Sequence, residues 1–88
     1  MKTATTLERI TKGIASKHRL SILSLLVRQK NLDVDVISQR LSLGYKTTAE
    51  HLRKMFIAGL ITKEYEGNYV LHSLTPLGKK VAVFLQRL

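Results

Sequence analysis

The sequence predicts a mainly helical fold with one small β-hairpin, and three observations carry that reading. Apolar residues recur at helical spacing in successive stretches from Leu7 to Ala58. Between Leu60 and Thr75 the pattern changes to short runs rich in β-branched and aromatic residues. After Pro76 the helical spacing returns, with Leu77, Val81, Phe84, Leu85 and Leu88 forming an apolar seam. A chain of 88 residues has material for one core, so 1–88 reads as a single domain.

The elements follow in order. A first helix is expected from Leu7 to about Ala15, with Thr6 as its cap and Leu7, Ile10 and Ile14 on one stripe. Ser16 caps a second helix over Lys17–Gln29, in which Leu20, Ile22, Leu23, Leu26 and Val27 make a wide apolar face while Arg19 and Arg28 stay polar. Asp33 or Asp35 caps a short third helix that ends at Leu41 and turns Ile37 and Leu41 inward. The segment Ser42-Leu43-Gly44-Tyr45 breaks the pattern, with Gly44 as the natural residue for a tight turn.

A fourth helical period then runs from Lys46 to about Ala58, and Gly59 ends it in a left-handed conformation. Thr48, Leu52, Met55 and Phe56 fall on one side of it, and Lys46, Glu50, Arg53 and Lys54 on the other. Two strands, Ile61–Tyr65 and Tyr69–Leu74, flank the turn signal Glu66-Gly67-Asn68. Pro76 suits the first turn of the last helix, where its missing donor does no harm.

Composition narrows the function. Fifteen Lys and Arg against six Asp and Glu give a net charge of +9, spread evenly along the chain, which favours an anionic partner such as nucleic acid. The lack of cysteine excludes disulfides, thiolate metal sites and cysteine nucleophiles. No apolar run has the length of a membrane span and no secretory signal stands at the start, so the chain reads as cytoplasmic, without a membrane partner. No nucleophile with a base, no phosphate-cradling glycine loop and no carboxylate cluster is present, which argues against an enzyme and against a cofactor.

The order helix, helix, helix-turn-helix, hairpin, helix is that of a winged helix-turn-helix domain: helix-turn-helix over about 34–58, wing over about 60–75, C-terminal helix over about 76–88. Ser16-Lys17-His18-Arg19-Leu20-Ser21-Ile22-Leu23 resembles the second helix of ArsR-like regulators. Arg40-Leu41-Ser42-Leu43, Glu50-His51-Leu52-Arg53 and Ala58-Gly59-Leu60-Ile61 resemble their helix-turn-helix and its exit. Leu74-Thr75-Pro76-Leu77-Gly78 is similar to the segment after the wing in MarR-like regulators. The resemblance implies a transcriptional regulator that binds double-stranded DNA as a homodimer, most simply a repressor occluding a promoter. Two alternatives are a low-specificity architectural DNA-binding protein and a winged-helix protein-interaction module.

A helix that reads DNA needs mixed donors and acceptors toward base edges, with cations around them for phosphates. Tyr45, Lys46, Thr47, Glu50, Arg53 and Lys54 supply that face. Arg53 or Lys46 suits guanine, Glu50 suits cytosine, and the Thr47 methyl suits thymine; a solvated helix face is the competing reading of the same charges. The resemblance places His51 near phosphate or partly packed, where a neutral ring still donates a hydrogen bond. In the wing, Glu64 and Glu66 are repelled by phosphate, so either Lys63 and Asn68 make the DNA contact or the wing serves mainly as structure. Tyr65 and Tyr69 are as well explained by cross-strand packing.

The metal-sensing relatives begin their third helix with Cys-Val-Cys, and the corresponding segment here is Asp33-Val34-Asp35, which rules out thiolate sensing there. Two carboxylates without further acidic neighbours make a weak cation site, and His18, His51 and His72 show no metal-site spacing, so no metal is expected. For the dimer interface, the resemblance points to the terminal helices, with Leu7, Ile10 and Ile14 on the first and Leu77, Val81, Phe84, Leu85 and Leu88 on the last; the competing reading is that both helices simply cover the monomer's own core.

Overall fold

Of the five helices among the described residues, four begin at a side-chain oxygen that accepts amides of the first turn, the groups a helix cannot satisfy itself. Thr3 caps α1 (Ala4–Ile14), Ser16 caps α2 (Lys17–Arg28), Asp33 caps α3 (Val34–Leu41) and Thr75 caps α5 (Pro76–Gln86). Only α4 (Tyr45–Ile57) starts from a glycine, Gly44, with no side-chain cap. The computed structural model describes residues 3–88. Between α4 and α5 lies an antiparallel hairpin of β1 (Ile61–Glu66) and β2 (Tyr69–Leu74), paired from Ile61 with Leu74 out to Glu66 with Tyr69. Gly67 turns the chain at its tip with φ of +61°.

The core lies where α2, α3, α4 and the hairpin base meet. Ile22, Leu23, Ile37, Leu52, Met55 and Leu60 are its largest fully buried apolar side chains. Ile14, Leu41, Leu77, Val81 and Leu85 pack against it from the rim. A third, short segment joins the hairpin: Leu32, between α2 and α3, exchanges backbone hydrogen bonds of 3.1 and 2.8 Å with His72. Asn31 fixes this crossing, since its amide donates to Ser73 Oγ (2.8 Å) and Ser73 donates back to Asn31 Oδ1 (3.1 Å).

Helix α5 is fastened to the junction between α4 and β1. The Thr75 amide donates to the Leu60 carbonyl (3.0 Å) and its hydroxyl to the Gly59 carbonyl (2.7 Å). Gly78 packs so closely there that a Cβ would stand 2.1 Å from the Leu60 carbonyl oxygen. Gly59 closes α4 with φ of +79°, as its position in the sequence predicts.

Several local expectations are corrected. Helix α1 starts three residues earlier than Leu7, because Thr3 and not Thr6 accepts the capping bond; Thr6 is the residue that donates it. Helix α4 starts at Tyr45, and the left-handed residue of the turn before it is Ser42 (φ 53°), whereas Gly44 has ordinary extended backbone. Gly44 matters instead through its carbonyl, which accepts from the Thr48 amide (3.0 Å) and hydroxyl (2.9 Å). Asp33, not Asp35, caps α3, its carboxylate accepting from Val36 at 2.9 Å.

The apolar face of α2 is rotated from the expected one. Leu20 and Val27 are exposed, and Leu25 takes a core place. Arg19, expected to stay polar, is only 9% exposed, because the stripe Arg19, Ile22, Leu23, Leu26 is the one that faces inward. Phe56 stays 40% exposed, since it sits at the edge of the buried face of α4 and the ammonium of Lys63 covers it, 4.8 Å above the ring.

Candidate nucleic-acid interface

The turn at Ser42–Gly44 sets α4 against α3, with Thr48, Leu52 and Met55 buried and the opposite stripe free. Lys46, Thr47, Glu50 and Arg53 are all exposed on that stripe, with Thr47, Glu50 and Arg53 recurring every three residues, just under a turn of helix. Their side chains are organised. Arg53 grips Glu50 with two parallel bonds, Nη2 to Oε1 at 2.7 Å and Nε to Oε2 at 3.2 Å, and Lys54 stands 4.0 Å from the same Oε1. The Arg53 guanidinium holds the Glu50 carboxyl below the usual carboxylate range, with smaller help from Lys54 and His51. The two side chains expected to read separate bases thus stand as one bidentate pair.

His51 faces a different neighbourhood. Its Nδ1 accepts from Arg19 Nε at 3.1 Å, and its ring lies 5.5 Å from that of His18 at the start of α2. Because a guanidinium only donates, this bond assigns the lone pair to Nδ1 and the proton of the neutral ring to Nε2. Partial burial, followed by the charges of Arg19, His18 and Lys54, holds the His51 pKa below the ordinary imidazole value. Arg19 in turn donates through Nη1 to the Lys12 carbonyl, so one guanidinium joins α1, α2 and α4.

The remaining candidates lie on either side of the stripe. Tyr45 is 58% exposed and lines a hollow with Asp33, Asp35, Asn68 and Tyr69, between the start of α3 and the hairpin. Asn68 is exposed at the hairpin tip. Lys63 is placed over Phe56, so it stands at the base of the wing and away from the tip. Tyr65 and Tyr69 are both exposed. Lys54 is exposed but lies two turns along from Lys46, where it borders α1. Arg19 is the residue of this region that sequence reasoning misplaced; its spacing with Ile22, Leu23 and Leu26 was the available signal.

The dimer candidates divide in the same way. Ile14, Leu77, Val81 and Leu85 pack against the protomer's own core, and Ile10 is half-buried. Leu7 and Leu88 are exposed, Phe84 is 64% exposed, and Val83 beside it adds an apolar side chain that the seam spacing omits. Among the described residues no helix is long and apolar enough to cross a membrane.

No protein-family model matches the chain, and no curated protein matches it in sequence. Solved structures do. HlyU from Vibrio cholerae is 28% identical, with 98% of this chain and 94% of that one covered and a TM-score of 0.85. The homodimeric winged helix-turn-helix DNA-binding domain of a possible ArsR-family regulator from Mycobacterium bovis is 22% identical, covers 93% and 76%, and also gives 0.85. The transcriptional repressor BigR from Xylella fastidiosa is 19% identical, covers 96% and 83%, and gives 0.80. Five helices around a single antiparallel hairpin, superposing this closely over nearly the whole chain, give it the winged helix-turn-helix fold of these structures.

Proposed function

We propose that the chain is a sequence-specific regulator of transcription that binds double-stranded DNA as a homodimer in the cytoplasm, most simply as a repressor that covers a promoter. One observation carries the reading: the stripe Lys46, Thr47, Glu50, Arg53 on α4 is exposed directly after the turn of a helix-turn-helix. The net charge of +9 supplies the sequence-independent attraction to phosphate. Tyr45, Asn68 and the Nε2–H of His51 flank the stripe as further contacts; Lys54 lies at its far end, and Lys63 serves the wing base. The homodimeric Mycobacterium bovis domain and the repressor BigR support the assembly and the mode of action. A two-fold dimer joined through the terminal helices puts its recognition helices about 34 Å apart, the spacing of successive major grooves.

The test is selection from a random duplex pool at near-physiological salt, followed by Lys46→Ala and Arg53→Ala in the selected site. A two-fold-symmetric consensus, with affinity lost in the variants, is expected. Binding without enrichment would replace this reading by the architectural one, and no binding by the interaction module.

A further inference from the structure

A cleft of about 400 Å³ opens between α1 and the C-terminal end of α4, on the side of the molecule away from the hairpin tip. Its polar wall is wholly cationic: Arg9 and Lys12 from α1, Arg19 from α2 and Lys54 from α4. Its apolar wall is Ile57 and Ala58, with Ala15 opposite. Ile57 is 60% exposed, so its side chain is accessible from the cleft. No carboxylate lines the space.

The charges are unevenly answered. Lys12 has Glu8 at 2.8 Å and Lys54 has Glu50 at 4.0 Å, both on the solvent side. Arg9 and Arg19 have no carboxylate within ion-pair distance among the described residues. Arg19 is nine-tenths buried, and a buried guanidinium without a counter-charge is costly. Its Nε is held by His51 and its Nη1 by the Lys12 carbonyl, so its donors are fixed in direction. A concave space of this size with an apolar wall and a few convergent donors has the form of a small-ligand site.

We propose that this cleft binds a small amphipathic acid, a carboxylate carried on an aryl or medium alkyl body. The carboxylate is recognised by the Arg9 guanidinium and by Nη2 of Arg19, the nitrogen that His51 and the Lys12 carbonyl leave unengaged, and the body rests on Ile57 and Ala58. Inorganic anions lack the apolar part, and a DNA phosphate on a convex duplex does not enter a recess. Arg19 positions His51 and Lys54 stands on α4, so an occupied cleft alters DNA affinity; this last step rests on the DNA-binding function proposed above.

The experiment titrates the isotopically labelled full chain with 2-naphthoate, with 2-naphthylmethanol and inorganic phosphate in parallel, reading amide shifts and heats of binding. Saturable shifts at Arg9, Lys12, Ile57 and Ala58 are expected with the acid, and binding about tenfold or more weaker with the alcohol and with phosphate. Arg9→Ala and Ile57→Ser, both at exposed positions, each weaken the acid, while Lys79→Ala on α5 does not. Absence of saturation at millimolar acid, shifts elsewhere, equal binding of phosphate, or indifference to Arg9→Ala would each overturn the proposal. The selected duplex is then titrated with and without the acid. A chain that binds the acid but no DNA refutes the regulator reading and leaves the site standing; unchanged DNA affinity in the presence of bound acid refutes the coupling alone.

Discussion

The Nε–H of Arg19 and Nδ1 of His51 meet at 3.1 Å across the junction of α2 and α4. A residue near the start of the second helix therefore fixes the ring orientation of one in the middle of α4. Replacing Arg19 by Lys keeps the charge but loses the directed fork that also reaches the Lys12 carbonyl. Arg19→Lys is expected to lower stability by about 1–3 kcal/mol, the range for buried hydrogen bonds to a charged group, and to free the His51 ring. Urea unfolding measures the first effect, and the chemical shifts of the His51 ring nitrogens the second.

Acid is expected to destabilise this fold through its histidines. His51 and His72 are both held below the ordinary imidazole value by burial, with Arg19, His18 and Lys54 adding to the effect at His51. At His72 the bond to the Leu32 carbonyl opposes burial without outweighing it. A depressed native value means that the unfolded chain binds more protons below pH about 6.5, so stability is full above that value and declines as pH falls beneath it. The urea midpoint should fall between pH 7.5 and 5.5, and His72→Asn should flatten the slope. A midpoint that is constant or rises on acidification contradicts this account. Glu8 and Glu50, lowered by Lys12 and Arg53 respectively, act with the same sign only at more acid pH.

Glu50 restrains Arg53, and its removal separates affinity from discrimination. Glu50→Ala deletes the carboxylate on the exposed stripe of α4 and releases the guanidinium from its bidentate grip. Affinity for random duplex is expected to rise and the specificity ratio to fall, as measured by competition between the selected site and unrelated DNA. Both side chains are exposed, so the thermal midpoint should scarcely move.

Within the core, Leu52 is the clearest probe, since it is fully buried on α4 between the helices and the hairpin base. Leu52→Ala is expected to cost about 2–5 kcal/mol in denaturant unfolding. Gly78→Ala should also destabilise, because its new methyl meets backbone at the Leu60 carbonyl and not a side chain that can turn away. A loss under about 0.5 kcal/mol at Gly78 would show that α5 can shift.

Phe84 is the exposed apolar anchor of the seam. In the proposed dimer, Phe84→Glu is expected to give a monomer in sedimentation experiments while leaving the helical circular-dichroism signal in place. A dimer unaffected by this change would move the interface away from α5.

Element type was legible wherever spacing and caps agreed. Ser16, Asp33 and Pro76 each mark a helix start by a local mechanism, and Gly67 marks the hairpin turn. The errors came where two residues competed for one local role. Thr3 and Thr6 are both able to cap, and the structure uses one as acceptor and the other as donor. Ser42 is the left-handed residue of the turn, whose tight bend was expected at Gly44. Arg19 shows a different limit: its spacing fits the buried stripe, but residue type argued for solvent, and only the tertiary partners His51 and Lys12 make burial tolerable. Likewise the exposed stripe of α4 was readable from periodicity, whereas the pairing of Glu50 with Arg53 and the placement of Lys63 over Phe56 depend on side-chain rotamers and on wing geometry.

The fastening of α5 at Gly59, Leu60 and Gly78 makes the terminal helix and the hairpin root a single lever. Its short arm is the seam at Phe84 and its long arm is the hairpin, whose six-residue strands reach about 20 Å, so a tilt of about 5° at the root sweeps the tip by roughly 2 Å. That displacement is of the order that separates a formed phosphate contact from a lost one. In the proposed dimer, the angle at which two copies meet is thus a gear that sets the reach of both wings together.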